Sequence, residues 1–365
     1  MQGIHKSLFG RLRSWTHYHH AKTAIIVACG LVLASGMTAF ALLYRAPQKT
    51  ATAPHVATPT TIPTPAPVVY YSPLTGEKVP DEASTKQAVT GVMIENSPDA
   101  RPQSGLKQAG VVYEAIAEGG ITRFLALYQQ EKPALIGPVR SLRQYDIDWL
   151  APFQASIAHV GGSAAALKEI RSGSYRDLDQ FFNGSYYWRT TDRYAPHNVY
   201  TDATHLDALN TKKGYATSTF TAWPRKDGAP AKTPNATTIN VTISSALYNS
   251  QYKYDAANND YARYQAGAPH LDREQGQIAP SVVIVMEVTE KTVMQDGYRE
   301  QITTTGSGKA HIFQDGTETE ATWSKADSGS QTKFTDASGK EIALNRGQTW
   351  LTAVPANREG KVTWQ

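Results

Sequence analysis

A hydrophobic stretch close to the start most constrains what this chain can fold into. From Thr23 to Tyr44 the sequence runs for twenty-two residues without a charged side chain. At 1.5 Å per residue such a stretch forms a helix about 33 Å long, which is enough to cross the hydrocarbon core of a bilayer. We therefore predict one transmembrane helix over residues 23–44.

The residues around this stretch predict its orientation. Four Lys or Arg residues precede it and two follow it, and an excess of Lys and Arg favours the cytoplasmic side. We expect residues 1–22 to form a basic cytoplasmic tail and the C-terminal bulk to be extracytoplasmic, held at the cell membrane by a single pass. Residues 45–70 are rich in Pro, Thr and Ala, which favours an extended linker.

Two other interpretations of the hydrophobic stretch stay open. Residues 39–41 (AFA) fit the small-x-small pattern of a signal-peptide cleavage site, so the chain could be cut after Ala41. Residues 27–29 (VAC) are similar to a lipoprotein processing site, but only about six apolar residues separate Lys22 from Cys29, which is short for such a signal. Cys29 is the only cysteine, so the soluble part has neither a disulfide nor a thiolate nucleophile.

The positive charge of the chain is concentrated near its start. Six of its 36 basic residues stand in the first fifty positions, with no acidic residue among them: Lys6, Arg11, Arg13, Lys22, Arg45 and Lys49. Removing these six leaves 30 basic residues against 32 acidic ones, so the rest of the chain is nearly neutral. Binding to a phosphate backbone needs a basic stripe, and nucleic acid is therefore excluded as a partner.

The first part of the soluble region, residues 71–220, mixes two hydrophobic periodicities. Strands are predicted at 88–95, 110–117, 122–130 and 155–160, and helices at 144–153, 164–171 and 202–214. This mixture predicts a mixed α/β N-terminal domain.

The second part follows a polar segment with three prolines at 215–235, which indicates a boundary or a long loop. Beyond it, strands are predicted at 237–244, 251–254, 260–264, 281–289, 299–304, 310–314, 318–324 and 347–354. Residues 236–365 are therefore predicted to form a β-rich C-terminal domain. The fold class is α+β: a mixed α/β domain followed by a β-rich one, preceded by one transmembrane helix.

The segment His159–Ser163 (HVGGS) lies between a predicted strand and a predicted helix. Gly161 and Gly162 allow a tight turn, and the N–H groups at the start of the helix could face an anion. The alternative is an ordinary turn in which Ser163 caps the helix and His159 is a satisfied, half-buried residue.

The loop at 189–198 concentrates functional side chains. Two guanidinium groups, a carboxylate, an imidazole and an amide stand within ten residues: Arg189, Asp192, Arg193, His197 and Asn198. Binding residues are often found on loops, and converging arginines favour carboxylate, phosphate or sugar-acid ligands. The alternative is a structural network in which Asp192 pairs with Arg189 or Arg193.

Glu114 and Glu118 fall on one face of a predicted strand. Four residues at about 3.3 Å each place them roughly 13 Å apart. The two carboxyl groups of a glycosidase lie about 5–9.5 Å apart, so a catalytic pair would need another element, such as Glu118 with Asp146 or Asp192. The candidates for catalysis are Glu114, Glu118, Asp192 and His159, and the alternative is that the acids are salt-bridge partners of the arginines.

Short motifs spread over the whole soluble part resemble a known family. They are residues 72–76 (SPLTG), 94–96 (IEN), 101–105 (RPQSG), 112–114 (VYE), 118–123 (EGGITR), 137–140 (GPVR), 159–162 (HVGG), 189–200, 306–308 (GSG) and 347–350 (GQTW). The chain is similar in these motifs to the bacterial YerB family, lipoproteins built on a domain of unknown function. The resemblance implies a Gram-positive-type envelope protein with an α/β first domain and a β-rich second one. Cys29 lies earlier than a lipid-attachment cysteine of that family, which favours the transmembrane anchor.

We predict a ligand-binding site formed by Arg123, Arg140, His159, Gly161, Gly162, Arg189, Asp192, Arg193, His197 and Asn198. The favoured function is binding of a cell-wall or other anionic glycan by an envelope protein. The alternatives are a peptidoglycan-active hydrolase or lytic enzyme with Glu/Asp acid–base chemistry, and a protein-interaction module. The histidines lack the spacing of a zinc site, so we expect neither a metal nor a cofactor.

Overall fold

The computed structural model describes residues 68–173, 175–294 and 298–365, and eight positions of the N-terminal segment: 24, 27–29, 31, 32, 35 and 37. Those eight residues are helical. The predicted cytoplasmic tail, most of the predicted transmembrane helix and nearly all of the linker lie outside the described residues. None of the helices in the described part of the chain has the length and apolarity needed to cross a membrane.

The chain divides into two units, Met1–Ala66 and Pro67–Gln365, and the architecture described here belongs to the second. Its α-helices are α1 (Glu82–Thr85), α2 (Gln144–Leu150), α3 (Ala164–Ile170) and α4 (Ala203–Lys213). Short 3-10 helices cover Pro98–Ala100, Leu106–Gln108, Ala151–Phe153 and Gly184–Tyr186. The strands of its first part are β1 (Tyr70–Tyr71), β2 (Lys78–Val79), β3 (Thr90–Glu95), β4 (Val111–Glu118), β5 (Ile121–Tyr128), β6 (Ser156–Ala158), β7 (Arg176–Asp177), β8 (Trp188–Arg189), β9 (Val199–Tyr200) and β10 (Arg225–Lys226).

Strands dominate the remainder of the unit. They are β11 (Thr238–Thr242), β12 (Ser250–Asp255), β13 (Asp260–Gln265), β14 (Ala268–Pro269), β15 (Leu271–Asp272), β16 (Gly276–Gln277), β17 (Val282–Val288), β18 (Glu290–Val293), β19 (Arg299–Ile302), β20 (Gly306–Gln314), β21 (Thr317–Lys325), β22 (Lys333–Thr335), β23 (Leu344–Asn345), β24 (Thr349–Pro355) and β25 (Lys361–Trp364). The predicted mixture of helices and strands with a strand-rich C-terminal part is confirmed.

Ten strands form one continuous sheet in the order β22-β21-β20-β17-β24-β4-β5-β3-β6-β7. β24 lies near its centre and runs parallel to both of its neighbours, β17 and β4. The pairing of β24 with β4 aligns Thr349 with Val111 and Thr352 with Glu114. One sheet therefore draws strands from both regions that the sequence pattern separates.

The central strands of this sheet are buried on both faces. β3 and β24 are buried at every residue, and β4 at every residue except the last. Near-continuous apolar runs such as VVIVMEV in β17 are typical of strands that are covered on both sides. The sheet is therefore the middle layer of the molecule.

Different elements cover its two faces. On one face α2 and α3 bury Trp149, Leu150 and Ile170 against the sheet. On the other face a five-stranded sheet, β14-β13-β12-β11-β25, buries Ile239 and Tyr252 in a second cluster together with α4. The molecule has three layers, in which the C-terminal strands supply both part of the central sheet and most of one cover.

Local signals determine where the helices begin and end. Asp202 caps α4, because its carboxylate accepts the His205 N–H over 2.7 Å, and Gly214 ends the helix in the left-handed conformation. Ser163 caps α3 by accepting the Ala166 N–H over 3.3 Å. Both helices start within one residue of the predicted positions.

A buried ion pair joins the central sheet to its five-stranded cover. Arg263 on β13 and Glu114 on β4 are both almost fully buried, and Nη2 of Arg263 donates to Oε2 of Glu114 over 2.7 Å. Glu114 also accepts hydrogen bonds from Thr122 Oγ1 and Trp350 Nε1, each over 3.2 Å. Arg263 donates a further bond to the hydroxyl of Tyr252 over 3.1 Å. Both charges are therefore fully hydrogen-bonded inside the molecule.

A neutral histidine extends this network. Burial, together with the charge of Arg263, lowers the pKa of His270 well below its usual range. Nδ1 of His270 accepts a hydrogen bond from Arg263, and the opposite nitrogen, Nε2, donates to Gln103 Oε1 over 3.0 Å. Gln103 in turn donates to the side chain of Asn96 over 3.0 Å. The network thus runs from the interior to the loop that follows β3.

Replacing Arg263 with methionine should strongly destabilise the protein. The substitution leaves Glu114 buried without a cation, which costs about 3–5 kcal/mol of the free energy of unfolding. Urea denaturation followed by tryptophan fluorescence measures the loss, and the double variant Glu114→Gln/Arg263→Met should recover part of it. Lys132→Met is the control, because the Lys132–Asp207 pair is exposed at 43% and 46% and should be worth about 0–1 kcal/mol. Equal losses in the two single variants would contradict this account of the network.

Candidate functional site

The loop at 189–198 is held together largely by its own side chains. Nη1 of Arg189 donates to Oδ1 of Asn198 over 2.6 Å. The Asn198 amide donates to the carbonyls of Thr190 and Arg193 over 3.1 and 3.2 Å. Asn198 is buried, so it acts as the internal brace of the loop.

The remaining charged groups of the loop bind neighbouring segments. Asp192 pairs with Arg273 over 2.7 Å, and Arg193 donates to the carbonyl of Pro102 over 2.6 Å. The nearby Thr190 side chain and the contact with Arg273 lower the pKa of Asp192. The loop is thereby fastened to the segments around residues 102 and 273.

His197 and Arg140 meet at one buried carboxylate, that of Glu95. His197 Nδ1 lies 3.0 Å from Glu95 Oε2, and Arg140 Nε lies 3.3 Å from Oε1. Ser97 Oγ donates to the same Oε1 over 3.0 Å. Glu95 was not among the predicted site residues, although a carboxylate at the end of a buried apolar strand such as β3 is a signal for a partnered charge.

This cluster lacks the arrangement of a catalytic triad. In a Ser-His-acid triad the serine and the carboxylate bind opposite nitrogens of the imidazole ring. Here Ser97 Oγ and Glu95 both approach Nδ1 of His197, at 3.3 and 3.0 Å. The opposite nitrogen, Nε2, lies 4.0 Å from Asp99. The serine is therefore not placed to transfer its proton to the imidazole.

His159 is fully buried and both of its ring nitrogens face oxygen atoms. Nδ1 lies 2.8 Å from the carbonyl of Gly161, and Nε2 lies 3.1 Å from Asp177 Oδ1. These contacts agree with the alternative interpretation, in which the hydrogen-bonding groups of His159 are all paired inside the protein. His159 links the end of β6 to β7 and does not reach a surface.

The glycines after His159 bring a helix start beside Arg143. The carbonyl of Gly161 accepts the Leu142 N–H over 3.0 Å, and the Ser163 N–H donates to the Leu142 carbonyl over 3.1 Å. A Cβ atom on Gly162 would stand 3.0 Å from that carbonyl, so any larger residue would require the Leu142 backbone to shift by a few tenths of an ångström. The turn therefore places Ser163 beside Leu142, just before the start of α2.

Three arginines surround one carboxylate at this point. Arg123 Nη2 donates to Glu118 Oε1 over 2.5 Å, and Arg143 Nε donates to Oε2 over 3.0 Å. Arg143 Nη2 binds the same oxygen, and Arg299 Nη1 lies 3.9 Å from it. Arg123 and Arg143 are almost fully buried, with side chains only 4% exposed. We call Glu118, Arg123, Arg143 and Arg299 the arginine cluster.

Two buried guanidinium groups of the arginine cluster, those of Arg123 and Arg143, share one carboxylate. Burial acts to raise the pKa of Glu118, but Arg123, Arg143 and Arg299 outweigh it and bring the pKa below its ordinary value. Burial and the repulsion of Arg143 lower the pKa of Arg123 to about 10, so it stays cationic at neutral pH. Burial raises the pKa of neighbouring Asp146 to about 7, so this carboxyl supplies only part of a negative charge.

A cavity of about 670 Å³ opens beside the arginine cluster. Its walls are the start of α2, the start of α3, and the hairpin of β18 and β19. Donor side chains on these walls include Arg143, Gln144, Ser163, Lys291, Arg299 and Gln301. Its volume falls in the range of about 300–1,000 Å³ that is usual for small-molecule sites.

The structure separates the predicted site residues into distinct networks. Arg123 supports the cavity through Glu118, and the glycine turn places Ser163 in its wall. Four others belong to the loop network and two to the Glu95 cluster: Arg189, Asp192, Arg193 and Asn198, then Arg140 and His197. Sequence reasoning missed Lys291 and Arg299, because nothing in the pattern shows which distant element a hairpin packs against.

Comparisons with known proteins cover most of the chain. Two family models match, described as the N-terminal domain and the C-terminal domain of a protein of unknown function (DUF3048), over residues 74–216 and 239–351. A protein of Bacillus subtilis (strain 168) named "Putative lipoprotein YerB" is 33% identical over 289 residues, which are 78% of this chain and 86% of that protein. The crystal structure of the YerB protein from Bacillus subtilis is 30% identical, with a TM-score of 0.72, over 80% of this chain and 99% of that one.

The substitution Glu118→Gln should destabilise the protein, because it removes the only full negative charge of the arginine cluster. Hydrogen bonds to charged groups are worth about 1.5–3 kcal/mol, and we expect a loss of this size at pH 7. Because its pKa is lowered, Glu118 contributes this stability above its ordinary pKa of 4.5 and loses it as the pH falls through the lowered value. Urea denaturation at pH 7 and pH 3 should therefore show a smaller loss at pH 3.

Glu320→Gln is the matched control for this prediction. Glu320 pairs with Lys309 over 2.8 Å, but the two side chains are 67% and 44% exposed, so solvent screens the pair and it should contribute little to stability. A loss for Glu118→Gln that is no larger than the control, or that is equal at both pH values, would refute the account of the cluster.

Proposed function

This chain belongs to the DUF3048 family of YerB-like proteins, and from that premise we propose that it is an envelope protein that binds an anionic glycan in the cavity beside the arginine cluster. The family description assigns no activity. The observation that carries the proposal is that two buried guanidinium groups, those of Arg123 and Arg143, share the carboxylate of Glu118 beside an open cavity.

This arrangement favours a ligand that brings further negative charge to the cavity. Arg143 is occupied by Glu118 and by the Leu142 carbonyl, so it forms the floor of the site and contributes chiefly its charge. Arg299 is partly exposed and Lys291 is exposed on the same wall, where both can contact a ligand. Guanidinium and ammonium groups placed in this way bind carboxylate or phosphate oxygens.

The neutral donors of the cavity support a sugar as the carrier of that charge. Four threonines line the cavity, Thr289 and Thr303 to Thr305, together with the amides of Gln144 and Gln301. Sugars present hydroxyl groups that both donate and accept, and hydroxyl and amide side chains can match them. Two acidic residues also line the cavity, but Asp148 accepts the Thr304 hydroxyl and Glu300 binds Arg358.

Binding is better supported than hydrolysis. A glycosidase needs one carboxyl group that carries a proton at the working pH. The pKa values of Glu118 and Asp192 are both lowered, which favours the ionised form. Glu114 is fully hydrogen-bonded inside the Arg263 network and is closed to solvent. Burial raises the pKa of Asp146 to about 7, but this carboxyl group is itself buried and accepts the backbone N–H of Arg143. Glu114, Glu118 and Asp192 act as partners of cations.

We also propose that the protein is anchored at the outer face of the cell membrane. The relative in Bacillus subtilis is named a lipoprotein, which supports attachment to a membrane. The uncharged stretch at 23–44 and the linker after it support a single-pass helix with the C-terminal unit outside the cytoplasm. An anchor of this kind would keep the cavity close to the cell wall.

The cavity should distinguish an acidic cell-wall sugar from its neutral counterpart. N-acetylmuramic acid differs from N-acetylglucosamine by a lactyl group with a carboxylate, so the full-length protein should bind the first more tightly in isothermal titration calorimetry. Arg299→Gln and Lys291→Ala should each weaken that binding roughly 10- to 100-fold, because each removes a charged contact of about 1.5–3 kcal/mol.

Lys253→Ala serves as the control for these variants, because Lys253 is an exposed lysine on the five-stranded sheet. It should leave the affinity unchanged. Equal affinity for the two sugars, together with no co-sedimentation of the protein with purified cell walls, would exclude the binding function. Release of soluble fragments from those walls, abolished by Glu118→Gln, would establish the hydrolase instead.

The variant Cys29→Ala tests the anchor. If the segment at 23–44 is a transmembrane helix, the variant stays in the membrane fraction with the same intact mass as the wild type, apart from the substitution. Attachment through a lipid on Cys29 would release the variant from membranes, and cleavage after Ala41 would appear in the intact mass. Cell fractionation followed by immunoblotting and mass spectrometry separates these outcomes.

A further inference from the structure

The hairpin that walls the cavity has two different faces. Successive strand residues point to opposite sides, so β18 and β19 place Lys291, Arg299 and Gln301 on one face, and all three line the cavity. Glu290 and Glu300 belong to the other face of the hairpin and are buried, and Glu300 also borders the cavity. The hairpin therefore connects the cavity to a pair of buried carboxyl groups.

One arginine holds both carboxyl groups. Arg358 Nη1 donates to Glu290 Oε1 over 2.7 Å, and Nη2 donates to Glu300 Oε2 over 3.1 Å. Thr292 Oγ1 accepts from Arg358 over 2.9 Å and lies 3.1 Å from Glu300 Oε2. The Asn357 side chain binds the backbone N–H and carbonyl of Glu290 over 2.9 and 2.8 Å. The turn after β24 thus clasps the hairpin, and we call Glu290, Glu300 and Arg358 the carboxyl clasp.

The carboxyl clasp contains one cation for two carboxyl groups. The side chain of Glu290 is fully buried, and its Oε2 has no hydrogen-bond partner among the residues that the structure describes. A buried anionic oxygen without a donor is costly, and protonation removes that cost. Burial and then the charge of Glu300 raise the pKa of Glu290 to about 7, against the opposing effect of Arg358.

Other charged groups near the hairpin have their own partners or face the cavity. β19 packs against β4 and α2. The charged residues on these elements and on the cavity face of the hairpin are Glu114, Glu118, Asp146, Asp148, Lys291 and Arg299. Glu114 is bound by Arg263, and Asp146 accepts the backbone N–H of Arg143. Glu118 is bound by arginines, and Asp148 accepts a threonine hydroxyl. The groups that act on the Glu290 carboxyl are Glu300 and Arg358.

We infer that the carboxyl clasp is proton-sensitive and controls the position of the hairpin, so that the cavity binds its ligand more tightly when one of the two carboxyl groups is protonated. This inference rests on the proposed function of the same cavity. Arg358 is a positioning residue in it: it touches no ligand, but it holds the wall that carries Lys291 and Arg299.

The direction of the effect follows from which state holds the proton more tightly. Between the ordinary pKa of 4.5 and the raised value of about 7, the closed hairpin keeps a proton on Glu290 that a released hairpin gives up. The closed state therefore gains stability as the pH falls through about 7. It loses this stability as the pH rises through the same range, when two adjacent anions share one arginine.

Hydrogen exchange of the hairpin amides tests the clasp without any ligand. In the full-length protein the protection factors of residues 290–293 and 299–302, corrected for the intrinsic exchange rate, should fall about tenfold between pH 6 and pH 8, since one pKa unit corresponds to a tenfold change. Glutamine imitates a protonated carboxyl, so Glu290→Gln should reduce this change to less than twofold. The amides of β11 and β12 are the internal reference and should show no such difference between wild type and variant.

Calorimetry with N-acetylmuramic acid tests the link to the cavity. Its affinity for the wild type should be higher at pH 6 than at pH 8 by about the factor measured in the exchange experiment, since both report the same equilibrium. Glu290→Gln should bind equally well at both pH values. Arg358→Lys keeps the charge but not the double contact, and should weaken binding at both.

The outcomes separate the two proposals. A pH-dependent hairpin in a protein that binds no acidic sugar would overturn the proposed function and leave the clasp standing. Protection that does not change with pH in the wild type would overturn the inference, even if the sugar binds. If Glu290→Gln fails to fold, Glu300→Gln removes the other carboxylate of the clasp and should suppress the pH dependence in the same way.

Discussion

The ion pair between Glu114 and Arg263 is the interaction on which the rest of the structure depends. It lies where the central sheet meets its five-stranded cover. The two charges are stable there only because the polar neighbours are placed to form hydrogen bonds with them. A hydrophobic interface of the same area would tolerate small displacements between the layers, whereas a buried ion pair does not. The pair therefore fixes how β13 lies on β4, and with it the path of the chain toward β17 and β24.

Charge is used differently on the two faces of the central sheet. On the covered side, Glu114 and Arg263 balance each other and no charge is left over. On the side of α2, Glu118 stands four residues further along the same strand, beside Arg123, Arg143 and an open cavity. The prediction that Glu114 and Glu118 share one face of the strand is wrong, because a shift of register just before Glu118 interrupts the alternation of side chains. Buried cations that share a single carboxylate next to solvent-accessible space are the kind of arrangement that a ligand completes.

Sequence patterns were informative wherever the cause of structure is local. The strands of the central sheet follow from uninterrupted apolar runs, and the start and end of α4 follow from Asp202 and Gly214. Sequence patterns failed to predict contacts between residues that are far apart in the chain. Arg263 occupies a strand position that would normally be read as outward-facing, and only Glu114, 149 residues away, explains its burial. For the same reason Arg123 could be singled out as a site residue, whereas Lys291 and Arg299 could not, since their role depends on how a hairpin packs.

The parallel pairing of β24 with β4 has a consequence for how the molecule is made. Thr352 and Glu114 are partners in the sheet although 238 positions separate them along the chain. Until β24 has been synthesised, β4 can pair only with β5, and its other edge presents unpaired backbone groups. Such an edge can pair with a foreign strand, and long-range pairing of this kind is slow to form. Maturation of this fold therefore ends with an insertion at its centre, and the chain is vulnerable to misassembly until β24 is in place.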